Sequence, residues 1–216
     1  MRREERFEVS GHVVITVELP AGSLLLRAGA PGAVGVSIDS SGADAFEVSQ
    51  LGDSIEIRSG RRGRSARMVI DAPVGSDAEV KGASLDVSAR GPLGTLRLRL
   101  ASGDVVVRSV GGRLQAALAS GDVSAERVDG DADVQTASGD VRLRQCNGSA
   151  IAVRTVSGDI RIGLPAGIRV EPELSTLSGR VSLPQSGPAA PDPGRRTVKL
   201  RLRSISGDLT IERATG

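Results

Sequence analysis

The sequence predicts an all-β fold, a β-solenoid of about 18-residue rungs behind a strand-rich N-terminal cap, on three observations. First, Gly94, Gly103, Gly112, Gly121, Gly130, Gly139 and Gly148 fall at a strict interval of nine. Second, Ser-Gly-Asp stands at 102–104, 120–122 and 138–140, eighteen residues apart. The triplet returns at 157–159 and 206–208, with a degenerate Ser178-Gly179-Arg180 between them. Third, the residues after each Asp alternate apolar and polar with period two, and no capped apolar stripe of helical period occurs, so no helix is expected.

Taken in order, residues 7–80 read as short strands joined by Gly-rich turns. The strands are Phe7–Val9, Val13–Leu19, Ser23–Arg27, Val34–Ile38, Ala45–Val48, Ser54–Arg58 and Ala66–Asp71, the last closed by Ala72-Pro73-Val74-Gly75. The regular repeats fill 81–163, with Ser84-Leu85-Asp86 as a degenerate first member. In the half-repeat after each triplet the inward residues are Val105, Val107 and Val110, then Val123, Ala125 and Val128, then Val141, Leu143 and Cys146. In the other half they are Leu114, Ala116 and Leu118, then Ala132, Val134 and Thr136, then Ile151, Val153 and Thr155. The interleaved positions, among them Arg108, Ser124, Glu126, Arg142, Arg144, Gln115, Asp133, Gln135 and Arg154, fall on the opposite face. Irregular rungs follow over 164–216, with strands at Thr197–Arg203 and Leu209–Glu212 and a Pro/Gly-rich loop at 185–196. All 216 residues are expected to form a single β-repeat domain.

Two geometries satisfy an 18-residue period halved by glycine. One is a solenoid whose rungs stack about 4.8 Å apart, and the other is an antiparallel meander of nine-residue strand-and-turn units. The solenoid accounts better for identical triplets at one phase, because every rung then turns the same corner. Glycine supplies a backbone shape that other residues resist, and Ser and Asp offer oxygens to the amides of the turn.

Composition sets further bounds. There is no Trp and no Tyr, and only Phe7 and Phe46, so the core is built from small aliphatic side chains and the surface lacks the stacking platforms of single-stranded nucleic-acid binders. The net charge of +2 is also too small for a nucleic-acid partner, and none is expected. No apolar run approaches the roughly 18 to 20 residues of a membrane helix. Met1 to Arg6 is followed by an alternating stretch with no hydrophobic core of a leader peptide, so a cytoplasmic location is expected. The single cysteine, Cys146, rules out an intrachain disulfide framework.

The run Ala-Ser-Gly-Asp-Val, Ala-Ser-Gly-Asp-Val, Val-Ser-Gly-Asp-Ile, behind a strand-rich opening and an Ala-Pro-Val-Gly turn, resembles the bacterial putative-adhesin family of β-strand-repeat proteins over about residues 7 to 213. The resemblance implies a right-handed β-helix-like fold and a domain of unknown function with no catalytic residues to carry over.

Several side-chain groups stand as candidates for chemistry. Asp104, Asp122, Asp140 and Asp159 would stack along one corner, but one carboxylate per rung falls short of the about six to eight oxygens of a calcium site. The simpler expectation is that each caps the amides of its own turn. Asp129, Asp131 and Asp133 form the densest carboxylate group, the place to look for a carbohydrate-active β-helix enzyme. His12, the only histidine, has no nucleophile motif beside it, and Cys146 shares the phase of Val110 and Val128 and reads as core. Arg58, Arg61, Arg62, Arg64 and Arg67, and Arg195, Arg196, Lys199, Arg201 and Arg203, form two basic clusters suited to phosphate or acidic polysaccharide, or to plain solvation. No catalytic, cofactor or metal residue is assigned. The expected function is a non-enzymatic binding or scaffold module with a protein or polysaccharide partner, as a monomer or small oligomer. The alternatives are a self-assembling, bactofilin-like structural element and, third, the carbohydrate-active enzyme.

Overall fold

Alternating Val, Leu and Ile leave the chain no way to bury its apolar atoms except as strands that stack. A computed structural model describes residues 2–29, 31–41, 46–60, 65–184 and 196–214. The inner residues of the loop 185–196, together with Arg61, Arg62, Arg64 and Arg195, lie outside the described residues. The strands are β1 (Arg2–Glu8), β2 (Val14–Glu18), β3 (Ala21–Ala28), β4 (Ala33–Asp39), β5 (Phe46–Leu51), β6 (Ser54–Ser59), β7 (Ser65–Ala72), β8 (Asp77–Leu93), β9 (Leu96–Ser102) and β10 (Val105–Val110). They continue as β11 (Leu114–Ser120), β12 (Val123–Val128), β13 (Ala132–Ser138), β14 (Val141–Cys146), β15 (Ala150–Ser157), β16 (Ile160–Leu164), β17 (Arg169–Ser178), β18 (Val181–Ser182), β19 (Thr197–Ser206) and β20 (Leu209–Arg213).

The pairing is that of a solenoid. Val105 lies beside Val123 and Val123 beside Val141, and on the other face Leu114 lies beside Ala132, all in parallel register. An antiparallel meander is therefore excluded. Each rung lays one strand on each of two faces. One face runs β5, β6, β2, the first half of β8, β9, β11, β13, β15, β19, β17. The other runs β1, β4, β7, β3, the second half of β8, β10, β12, β14, β16, β20, β18. The inward residues expected from the alternation are all buried, Thr136 and Thr155 included, and their two hydroxyls donate to the carbonyls of Ser138 and Ser157 at 3.2 Å.

Stacking order departs from chain order at both ends. The rung of β2 and β3 sits between that of β6 and β7 and that of β8, so it is part of the array and not of a separate cap. The rung of β19 and β20 likewise sits between that of β15 and β16 and that of β17 and β18. At each end the rung laid first or last in the chain is second in space. The N-terminal cap is confined to three strands added antiparallel: β5 on β6, β4 on β7 and β1 on β4. An ion pair between Arg3 and Glu5, with Phe7 partly buried and Phe46 fully so, fills this end.

Candidate functional site

The Ser-Gly-Asp corner explains itself once the rungs are stacked. Gly121 has φ +126°, and a Cβ on it would lie 2.1 Å from the carbonyl oxygen of Gly103 one rung away. Only glycine lets the rungs approach this closely. The amide of Asp104 donates to Asp86 Oδ1 at 3.0 Å, that of Asp122 to Asp104 at 3.0 Å, and that of Asp140 to Asp122 at 2.8 Å. The series continues from Asp159 to Asp140 (2.8 Å), from Asp208 to Asp159 (2.9 Å), and ends with the amide of Arg180 on Asp208 (2.8 Å). Each carboxylate therefore caps the neighbouring rung's amide, not its own turn as the sequence suggested. Position 180 belongs to the outermost rung, has no amide beyond it to cap among the described residues, and is Arg. One oxygen of each ladder carboxylate, Oδ1, is spent on a peptide amide, and among the described residues no cluster of three or more His, Cys, Asp or Glu could hold a metal.

Asp129, Asp131 and Asp133 divide in the same way. The first two sit at the opposite corner. Asp131 Oδ1 accepts the amides of Ser149 and Ala150 at 3.0 Å each and the Ser149 hydroxyl at 3.1 Å. Asp129 Oδ1 accepts Asn147 Nδ2 at 2.6 Å and Arg127 Nε at 2.9 Å. Asp133 lies on β13 and accepts Gln135 Nε2 at 3.3 Å. The Arg127 hydrogen bond holds Asp129 below the usual carboxylate range, and the Ala150 amide does the same for Asp131. A general acid needs a carboxyl held above that range, so Asp129 and Asp131 are equipped to join rungs and not to donate protons.

His12 Nε2 lies 3.1 Å from Asp77 Oδ2. Burial pushes the Asp77 carboxyl up, but the Thr95 amide, 2.5 Å from Oδ1, and His12 together hold it lower than usual. Cys146 is buried on the inward side of β14, where desolvation pushes its thiol up to about 12, too high for a reactive thiolate.

What remains available to a partner is the outward surface. Of the first basic cluster, Arg58 is held by Glu56 at 2.5 Å. Of the second, Arg201 and Arg203 both close on Glu173, whose carboxyl they hold low, and Arg196 Nη2 donates to the Gly148 carbonyl at 3.0 Å. The sequence singled out these clusters, yet of their six described members Arg58, Arg196, Arg201 and Arg203 are paired. A stronger asymmetry lies in the whole chain. Residues 142–216 carry 12 Arg and Lys against 6 Asp and Glu, a net of +6, while residues 1–141 carry 16 against 20, a net of −4. The surface also changes along the Ser-Gly-Asp corner: the exposed residue before each Ser is Ala83, Ala101, Ala119 and Ala137, then Val156, Ile205 and, on the last rung, Leu177. The basic surplus and the larger aliphatics thus gather toward the end formed by β17 and β18. Sequence reasoning missed both because it compared repeats one by one and not the two halves of the chain.

No helix among the described residues is long and apolar enough to cross a membrane. No curated protein is detectably similar in sequence. Among solved structures, a protein described as a putative adhesin from Bacteroides fragilis is similar in fold, with a TM-score of 0.67 and 15% identity over 98% of this chain and 97% of that one. A protein described as a putative lipid binding protein from Parabacteroides distasonis has a TM-score of 0.55 and 15% identity, over 99% of this chain and 97% of that one. At this identity the likeness is one of fold. The pattern of the Toastrack DUF4097 family matches residues 68–164 and, in an overlapping second match, residues 127–215. That match takes in more than half of the sequence and the whole series of Ser-Gly-Asp corners, and the chain belongs to the Toastrack DUF4097 family.

Proposed function

We propose that this chain is a non-enzymatic binding module that offers its outward strand faces to a protein or polysaccharide partner, as a monomer or small oligomer. The observation that carries the reading is where its chemistry is spent. The Asp ladder, Asp129, Asp131 and the buried Cys146 are committed to holding rungs together, whereas charged side chains stand in rows on both outer faces. The description of the Bacteroides fragilis neighbour as a putative adhesin supports the same reading.

Self-assembly is the second reading, favoured by the outermost rung, where among the described residues β17 and β18 each have a neighbour on one side only. Two features weigh against it. β18 is two residues long, and Pro172 within β17 lacks an amide to donate, a common way to blunt an edge. Light scattering behind size exclusion over a concentration series, with a calcium arm and a chelator arm, separates the two. A constant mass supports the binding module, and growth into large species overturns it in favour of assembly.

A further inference from the structure

We propose that the basic hollow formed by Arg142, Arg144, Arg161 and Arg213 is a docking site for an acidic polysaccharide. This rests on the binding-module reading and names its partner's chemistry. The four side chains line a depression of about 470 Å³ on the face carrying β14, β16 and β20. Its floor is backbone: Gly163 has no side chain, and a Cβ there would strike the Arg144 carbonyl oxygen at 1.8 Å. Glu212 is the one carboxylate among the lining residues.

Register makes the grouping costly. Arg142 lies directly beside Arg161 in the neighbouring parallel strand, about 4.8 Å away, and like charges so placed repel. Other lateral pairs of cations also have one member held by a carboxylate: Arg27, beside Arg90, leans on Asp71 at 2.7 Å, and Lys81, beside Arg99, lies 3.6 Å from Glu18 and 3.4 Å from Glu79. Here Arg161 is held by Asp159 at the corner, at 3.3 Å, and what sets the hollow apart is that Arg144 and Arg213 line it together with Arg142. The side chains of Arg142, Arg144 and Arg213 make no hydrogen bond or ion pair with a described residue. Guanidinium forks left open in a row bind carboxylate or sulfate oxygens two at a time.

The surroundings choose the class of polyanion. No aromatic side chain is near to stack a nucleobase, since the chain's two phenylalanines lie at the far end. No exposed aliphatic lines the hollow that could enter a bilayer, and the aliphatic column runs along the corner instead. A row of cations one rung apart on an open face matches a chain with repeating charge better than a single ion, which would call for an enclosed pocket.

The test titrates the full-length protein with polygalacturonate, with neutral dextran and vesicles of phosphatidylserine and phosphatidylcholine as comparison arms, at low and high salt. Polygalacturonate is expected to bind at low salt and to weaken at least about tenfold at high salt, with dextran silent. The R142S/R144S double variant is expected to lose at least about tenfold in affinity, while R97S, whose side chain bonds Gln115 on the opposite face, keeps it. If the double variant loses its fold, the single variants R142S and R213S each carry the comparison. Equal affinity of variant and parent, equal binding of dextran, or binding of vesicles without polygalacturonate overturns the proposal and leaves the binding-module reading standing. Release of new reducing ends from bound polygalacturonate supports the site and overturns the non-enzymatic reading.

Discussion

The two ends of this solenoid solve one problem differently. A stack of rungs must stop somewhere, and each stop exposes a row of peptide groups and a slice of apolar core. At the N-terminal end three antiparallel strands cover the slice. Both phenylalanines are spent there, and the last strand, β1, turns an Arg3–Glu5 pair inward, so that the edge carries charge where a docking strand would want apolar atoms. At the C-terminal end nothing comparable appears among the described residues. Val181 stands in the phase of the fully buried Leu209 but is 46% exposed, and Leu183, in the phase of Ile211, is 57% exposed. One end is filled with bulk, and the other is shortened and interrupted by proline. Termination therefore does not require a cap of the same kind at both ends; it requires that the edge be unattractive.

Substitutions at matched places can break or sharpen this contrast. The largest effect is expected where a corner is locked between rungs. Gly121→Val forces a Cβ to 2.1 Å from Gly103 and should cost at least about 4 kcal/mol or abolish folding. Gly179→Val creates the same clash, 2.0 Å from Gly207, but on the outermost rung, so hydrogen exchange should show loss of protection confined to β17 and β18 with the rest intact. Global unfolding of the second variant would show that the last rung is no appendage. Next in size, Phe46→Ala should cost about 3 to 4 kcal/mol by chemical denaturation, because the ring is 2% exposed, whereas Leu183→Ala should cost less than about 1 kcal/mol. Comparable losses would mean that the two ends are equally filled. Smallest is the ladder. Asp122→Ala leaves the Asp140 amide uncapped and should cost about 1 to 2 kcal/mol, while Arg180→Asp, on the rung with no successor, should stay within about 0.5 kcal/mol of the parent. A clear gain from Arg180→Asp would point to an amide beyond it.

The regular middle was legible because identical residues meet there. Ser120 lies beside Ser102 and Ser138, so spacing in the chain equals spacing in the stack, and alternation alone separated Val123 from Ser124. The ends were not, because a repeated motif reports that a rung exists and not which neighbour it touches. Ser157 pairs with Ser206 and not with Ser178, and only Arg180 hints that its rung lies outermost. The opening strands hid their roles for a related reason: Val14 to Glu18, inside the array, and Arg2 to Glu8, at its edge, alternate with the same period. The corner carboxylates were recognised as caps but assigned to the wrong peptide, since sequence shows a turn and not the rung stacked on it. The basic hollow combines Arg142 and Arg144 with Arg161 and Arg213 from two other strands, a meeting fixed by register.

The inversion of the last two rungs has a bearing on how the protein is made. Among the described residues β17 and β18 pair only with β19 and β20, so residues 169–184 leave the ribosome before the strands they pair with. Their native pairing forms only once 197–213 have been synthesised and laid against β15 and β16. A nascent chain interrupted near residue 184 would carry those strands without their native partners. The stacking order thus makes the native pairing of residues 169–184 depend on strands that follow them in the chain.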